Sequence, residues 1–308
     1  MRVLVTGATG LLAQALSWEF RSAGHEVCAF PHLALDITSH SAVNEAVRFC
    51  RPDLVLNCSA YNAVDAAEED EDTAFDVNAN GPAYLAAAAE TYGATFVHYS
   101  SDFVFDGESA RAYTEDDVPA PLNAYGRSKL AGERAAARAS RHYILRLESV
   151  FGGVAARPST IDWLADSLLR LGTVSAFVDR TVSPSYTFDV ASATRQLIDA
   201  SAEPGLYHCV NSGSATWYEL SQELARQLGG KATVQEARSV DRPGKARRPR
   251  LCAMSNAKLA AAGITMPHWA DAIGRHVQNT LIVPAERVRP VVYDGPSSAI
   301  ASFGSAPA

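Results

Sequence analysis

Short apolar runs rich in β-branched residues alternate along the chain with longer stretches whose apolar positions recur at helical spacing. The first run, Arg2-Val3-Leu4-Val5-Thr6, reads as a strand and passes through Gly7-Ala8-Thr9-Gly10-Leu11-Leu12-Ala13 into a segment where Leu12, Leu16 and Phe20 share one helical face. Gly24 stops that helix before the next apolar run, Val27 to Phe30. Further strands are predicted at Leu54 to Cys58, Phe96 to Tyr99 and Tyr143 to Leu147, and helices at Ala42 to Phe49, Thr73 to Tyr92 and Tyr125 to Ala139. Regular strand and helix alternation predicts an α/β protein built on a Rossmann-type, doubly wound parallel sheet with helices on both faces.

After residue 152 the rhythm weakens. Helices are expected near Ile161 to Leu171, from Asp189, near Trp217 to Leu228 and near Met266 to Leu281, and strands near Ser175 to Val178 and Leu206 to Val210. The pattern divides the chain into residues 1–152, a smaller α/β carboxyl-terminal lobe over 153–282, and a segment near 176–212 that returns to the first unit. From Val283 to residue 308 Pro, Ser, Gly and Ala predominate, and a disordered tail is expected. No internal repeat is visible.

A chain of 308 residues with 47% hydrophobic content can bury a large core. No apolar run reaches the roughly eighteen residues of a membrane span, and the amino terminus enters a strand without a signal pattern, so a cytoplasmic location is expected. A net charge of −7 argues against a general nucleic-acid binder, which draws much of its affinity from a basic surface. The five cysteines are scattered without a Cys-x-x-Cys pair and the histidines lack ligand spacing, so buried thiols are expected and no catalytic metal. The acidic run Glu68 to Asp72 precedes a helical pattern, where carboxylates favour the helix dipole. Arg242, Lys245, Arg247, Arg248 and Arg250 form a basic loop with Pro243, Gly244 and Pro249; it is either solvated surface or a diphosphate site.

Chemistry gathers at three places. Gly7 and Gly10 sit between the first strand and its helix, where glycines let backbone approach a pyrophosphate and the helix amino terminus offers free N–H groups. The acidic residue that holds a ribose hydroxyl in many such units, about twenty positions on, is absent: Phe30-Pro31-His32 stand there. The first nearby carboxylate, Asp36, either reaches the adenine edge or caps the helix beginning near Ser39. Next, the strand ending at Tyr99 runs into Ser100-Ser101-Asp102-Phe103 and delivers hydroxyls to the sheet's carboxyl edge. Finally, Tyr125 and Lys129 lie four apart at a helix start. Alone, the pair is commonly a packed ring beside a solvated ammonium. Beside a glycine turn and a hydroxyl-bearing strand end, it suits proton transfer to a carbonyl, with an ammonium drawing the phenol below its ordinary pKa of about 10.

With these motifs the chain resembles the extended short-chain dehydrogenase/reductases, and among them the dTDP-4-dehydrorhamnose reductase family. The resemblance covers about residues 1–281. It rests on the glycine turn, Leu35-Asp36-Ile37, Ala60-Tyr61-Asn62-Ala63-Val64-Asp65, Val77-Asn78-Ala79-Asn80-Gly81, His98 to Gly107, Pro121-Leu122-Asn123-Ala124-Tyr125-Gly126 and Arg248-Pro249. It implies Ser101, Tyr125 and Lys129 as the catalytic set. It also implies NADPH or NADH contacts at Gly10, Leu11, Leu12, Asp36, Ile37, Ala60, Tyr61, Tyr99, Tyr125 and Lys129, beside the turn residue Gly7. A nucleotide-sugar substrate would meet Ser101, Asp102, Ser149 and Arg248, with the carboxyl-terminal lobe mainly substrate-binding, and its keto group would be reduced.

Three departures qualify the resemblance. Sugar-nucleotide dehydratases carry Asp then Glu after the catalytic hydroxyl, whereas Phe103 follows Asp102 here, which favours simple reduction. Where the family has Arg-Thr-Ser-Trp-Val-Tyr-Gly or similar, this chain reads Arg146-Leu147-Glu148-Ser149-Val150-Phe151-Gly152, so the tryptophan along the sugar is Ser149. A glutamate tied to magnesium-linked dimerisation in some members aligns with Ala15, so a homodimer of that kind is not assumed. The competing readings are a nucleotide-sugar epimerase that retains NAD⁺ and a regulatory subunit resembling the β-subunit of methionine adenosyltransferase.

Overall fold

The computed structural model describes residues 1–153, 158–241 and 244–281. The tail from Val283 and the basic-loop residue Arg242 lie outside the described residues. Among those described, no helix is long and apolar enough to cross a membrane.

The first unit alternates as the apolar pattern predicts: β1 (Arg2–Thr6), α1 (Leu11–Ser22), β2 (Glu26–Phe30), α2 (His40–Cys50), β3 (Leu54–Asn57), α3 (Glu71–Phe75), α4 (Gly81–Thr91), β4 (Thr95–Ser101), α5 (Ala124–Ala136) and β5 (His142–Leu147). There follow β6 (Val150–Phe151), α6 (Thr160–Leu171), β7 (Thr173–Phe177), β8 (Thr181–Val182), β9 (Ser185–Tyr186), α7 (Thr187–Asp199) and β10 (Gly205–His208). The last elements are β11 (Ala215–Thr216), α8 (Trp217–Gln227), β12 (Thr233–Ala237), α9 (Ala257–Ala261) and α10 (Trp269–His276).

Six strands form one parallel sheet in the order β10-β5-β4-β3-β1-β2. The chain leaves β1 for β2 on one side and returns to β3 on the other, and the crevice at such a reversal is where open α/β sheets bind ligands. Leu16 and Phe20 of α1 and Val190 and Leu197 of α7 cover one face of the sheet, and Val43 and Val47 of α2 with Leu85 and Ala89 of α4 cover the other. A separate apolar cluster joins α6, α8 and α10 through Leu164, Leu168, Leu220, Leu224 and Ile273.

The helix expected over Thr73 to Tyr92 is interrupted. Between α3 and α4 the turn Asp76–Asn80 is widened to π-helical geometry. Pro82 accounts for it: having no N–H, it cannot bond the carbonyl four residues back, Asn78, and its ring would crowd that carbonyl. Asn78 turns its amide to other partners, accepting from Tyr61 N at 2.9 Å and donating to Tyr61 O and Ser128 Oγ. Helix α5 lies so close that a Cβ on Gly132 would stand 2.1 Å from Asn78 O, so only glycine fits.

Behind the carboxyl edge of the sheet, Arg146 of β5 and Glu133 of α5 form a bidentate ion pair with both separations 2.8 Å, and Ser100 of β4 donates to the same carboxylate at 2.6 Å. Both side chains are almost fully buried, and the guanidinium lies 4.8 Å from the centre of the Phe105 ring. Removing one partner strands the other's charge in a poorly solvated interior. Glu133→Gln should therefore cost about 3–5 kcal/mol in equilibrium urea unfolding. A loss below about 1 kcal/mol would mean that water or a neighbour replaces the carboxylate.

Candidate active site

A cleft of about 1080 Å³ runs along the carboxyl edge of the sheet and is walled on its far side by α6, β7 and Trp217. Its amino-terminal end is the turn from β1 into α1. Gly7 has φ +64°, and a Cβ there would stand 2.9 Å from Cys58 O, so the backbones of the two strands at the topological reversal nearly touch. Gly10 precedes the first turn of α1, which carries no acidic side chain and leaves its N–H groups to an incoming anion. This open, carboxylate-free helix start beside a glycine cradle fits a dinucleotide pyrophosphate.

Gly10, Leu11, Leu12, Ala60, Tyr61, Tyr99, Ser101, Asp102, Tyr125, Lys129, Ser149 and Arg248 all line the cleft. Gly7, Asp36 and Ile37 are not among the residues that line it. Ile37 is buried in the core, its side chain against Gly81. Asp36 is exposed, and its carboxylate accepts from Thr38 N at 2.9 Å and Thr38 Oγ1 at 2.8 Å, holding its pKa low. Nor does Asp36 cap the next helix: Ser39 does, accepting from Ala42 N. A two-residue Asx turn satisfies the carboxylate locally before it can reach the helix.

The parallel register explains how the chemistry converges. Ser100 pairs with Arg146 and Ser101 with Leu147, so Asp102 and Glu148 leave adjacent strands side by side. Ser101 Oγ donates to Asp102 Oδ1 at 2.9 Å and accepts from Phe103 N at 3.2 Å. On α5, Asn123 caps the helix by accepting from Gly126 N, and the Tyr125 ring stands edge-on to Phe103, centroids 5.5 Å apart. Lys129 Nζ donates to Tyr99 O at 2.6 Å. Burial pulls Lys129 down to about 8, with Glu133 opposing.

The expectation that Lys129 lowers the Tyr125 pKa needs correction. Its ammonium is engaged by the Tyr99 carbonyl, and the influences on the phenol are burial, which raises its pKa, the Ser101 hydroxyl, which lowers it, and Asp102, which raises it. The net shift is upward, so Tyr125 keeps its proton at neutral pH.

The basic loop is partly neutralised. Arg248 forms a bidentate pair with Asp65 at 2.9 and 2.7 Å, which pulls Asp65 down to about 2, and Lys245 pairs with Glu69. Arg247, Arg248 and Arg250 line a smaller pocket of about 310 Å³ with Asp106 and Glu108. The acidic run also ties elements together: Asp70 caps α3, and Glu68 accepts from Ala124 N at the start of α5.

Two charged cleft residues escaped the sequence reading as site residues, Arg180 and Glu148. Arg180 follows β7, and its guanidinium sits 5.7 Å from the Phe177 ring with a buried Nε that has no partner. Glu148 was visible only as part of a departure from a motif, and nothing local in the sequence says that its carboxylate faces Asp102.

The sequence matches the family model described as the RmlD substrate binding domain over residues 1–282. The chain belongs to that family. Among its RmlD-family relatives, the chain is 33% identical over 279 residues to the spore coat polysaccharide biosynthesis protein SpsK of Bacillus subtilis, covering 90% of this chain and 97% of that one. It is 34% identical to the dTDP-4-dehydrorhamnose reductase of Mycolicibacterium smegmatis, over 88% of this chain and 84% of that protein. The crystal structure of dTDP-4-dehydrorhamnose reductase from Bacillus anthracis in complex with NADP superposes with a TM-score of 0.84 at 31% identity, covering 91% of this chain and 99% of that one.

Burial raises the Asp102 carboxyl to about 6, against the opposing pull of Cys252, Ser101 and Arg180. An acid whose folded pKa lies above its unfolded value binds more protons when folded, so its ionisation penalty sets in as pH rises from about 3.8 to about 6 and is relieved as pH falls through that window. Relative to Asp102→Asn, the wild-type protein should gain up to about 3 kcal/mol in unfolding free energy between pH 7 and pH 4. A constant difference across that range would mean that Asp102 is ordinarily solvated.

Proposed function

We propose that this RmlD-family chain reduces the keto group of a nucleotide-activated deoxysugar, a dTDP-4-keto-6-deoxy sugar, with NADPH or NADH. The observation that carries the reading is the convergence of Ser101, Tyr125 and Lys129 on one cleft that begins at the glycine turn between β1 and α1. When bound, the dinucleotide supplies the hydride to the carbonyl carbon. Gly7, Gly10 and the α1 amino terminus would hold its pyrophosphate, and Lys129, fixed by Tyr99 O, would hold its ribose. The Ser101 hydroxyl, turned from Asp102, would donate to the keto oxygen, and the protonated Tyr125 would give that oxygen its proton. Arg248, locked by Asp65, offers its remaining surface to the substrate diphosphate.

In this reading residues 1–152 bind the dinucleotide and 153–282 supply most of the sugar-nucleotide site, and the protein works in the cytoplasm. NADH and NADPH should serve within about tenfold of each other, because neither a carboxylate nor an arginine stands at the end of β2, where Phe30, Pro31 and His32 follow. Steady-state turnover of dTDP-4-keto-6-deoxy sugars with each coenzyme tests function and cofactor together. Tyr125→Phe should cost about 10²–10⁴-fold in turnover while still binding coenzyme. A variant as active as the wild type would remove the phenol from the mechanism.

Ser149 bears on the choice of sugar. It lies in the cleft wall at φ +44°, a backbone conformation uncommon for a residue other than glycine, and it leaves space where family members carry tryptophan. The preferred sugar should be bulkier or more polar than 4-keto-rhamnose. Ser149→Trp should shift the ratio of catalytic efficiencies toward 4-keto-rhamnose by about 1–3 kcal/mol. An unchanged ratio would take Ser149 out of the sugar pocket.

A further inference from the structure

We propose that Glu148 is a specificity-determining residue that, together with Asp102, reads a hydroxyl group on the ring carbon next to the keto carbon of the sugar. The inference rests on the reductase reading above and adds the residue that would read the neighbouring hydroxyl.

Glu148 is 3% exposed and lies in the cleft wall. Its backbone N–H is fixed by Ser185 Oγ and its carboxylate Oε2 accepts from Ser183 N, whereas Oε1 has no hydrogen-bond partner. An unpaired buried oxygen costs about 1–3 kcal/mol, and a carboxylate in that state costs more. It is held in the wall of a substrate cleft, one residue before the left-handed Ser149. A polar group that the fold leaves unsatisfied at such a place is one that a ligand can satisfy.

Position identifies which part of the sugar. Asp102 and Glu148 emerge from neighbouring strands in register, and Ser101 Oγ is 2.9 Å from Asp102 Oδ1, comparable to the spacing of two oxygens on adjacent ring carbons. With Ser101 on the keto oxygen at carbon 4, the carboxylate pair faces a substituent one carbon away. A 6-deoxy sugar carries a methyl-bearing carbon on one side of the ketone, so the polar neighbour is the hydroxyl on carbon 3.

Charge identifies the group as neutral. Oxygens of Asp102 and Glu148 and the Cys252 sulfur lie within 4.8 Å of one another, which is also a spacing for a metal ion. Arg180 already faces all three with a positive charge, however, and burial keeps the thiol well above its ordinary pKa and therefore protonated. Burial raises both carboxyls and each disfavours ionisation of the other, so the pair holds a proton more readily than solvated carboxylates do and can present a donor beside several acceptors. A hydroxyl, which both donates and accepts, matches that set better than a cation does.

The test compares two dTDP-4-keto-6-deoxy sugars differing only in the carbon-3 hydroxyl, with NADPH, in the wild type, Glu148→Gln and Glu148→Ala. The wild type should favour the hydroxylated sugar by at least about 100-fold in kcat/KM, since a site built around a hydroxyl rejects the analogue lacking it. Glu148→Ala should lose most of that ratio and Glu148→Gln part of it. Coenzyme binding, followed by NADPH fluorescence, should be the same in all three and shows that the variants are folded. Equal ratios in the wild type and Glu148→Ala overturn the proposal, as does a wild type that uses the two sugars equally well. Absence of turnover on every nucleotide-linked ketone overturns the reductase reading and this inference with it.

Discussion

The site depends on the buried pair of Arg146 and Glu133. Glu133 stands one helical turn beyond Lys129 on α5, Arg146 two residues before Glu148 on β5, and Ser100, which donates to the same carboxylate, immediately before Ser101 on β4. A bidentate carboxylate and guanidinium tolerate little displacement, so a single interaction sets the axial position of α5 against both strands. The phenol, the ammonium, the serine hydroxyl and the cleft carboxylates are thereby carried in one frame. Burying two charges is expensive, and the pair is better understood as a device for registration than as a source of net stability.

A second face of α5 is set by contact with backbone. The missing N–H of Pro82 opens a π turn, the turn presents Asn78, and Asn78 fastens the Tyr61 segment on one side and Ser128 on the other. Gly132 admits that approach because it has no Cβ. The helix that carries Tyr125 and Lys129 is thus fixed from two directions, while the loop before it is anchored by Asn123, which caps α5 and donates to Arg247 O at 2.7 Å. Cleft residues Tyr125 and Lys129 and the anchor of the basic loop thus share one helix.

The far wall of the cleft has a different character. Glu148 Oε1 and Arg180 Nε are buried without partners, Asp102 holds its proton to about 6, and Ser149 occupies a left-handed conformation. Each is locally unfavourable, and they are contiguous. Concentration of such costs along the wall of a substrate cleft is what a preorganised binding surface requires, because groups already desolvated and oriented lose little on meeting their ligand.

Much of the molecule was legible in order along the chain. Periodicity alone located the strands of the first unit, the glycine turn at β1, and Tyr125 and Lys129 on one helical face, because a strand, a turn and a helix each leave a local signature of spacing and residue type. The π turn was also written in the sequence, as a proline four residues after an asparagine, though the apolar pattern ran through it and read as one helix. What no local pattern could carry was pairing between distant segments. That Lys129 bonds the Tyr99 carbonyl instead of acting on its neighbouring phenol, that Asp65 holds Arg248, and that Glu148 comes to lie beside Asp102 all follow from strand order and register. The sequence by itself determined which groups were available and where on their own elements they stood; the tertiary structure alone decided which of them met, because register between strands is set by the packing of whole faces and not by any residue's immediate neighbours.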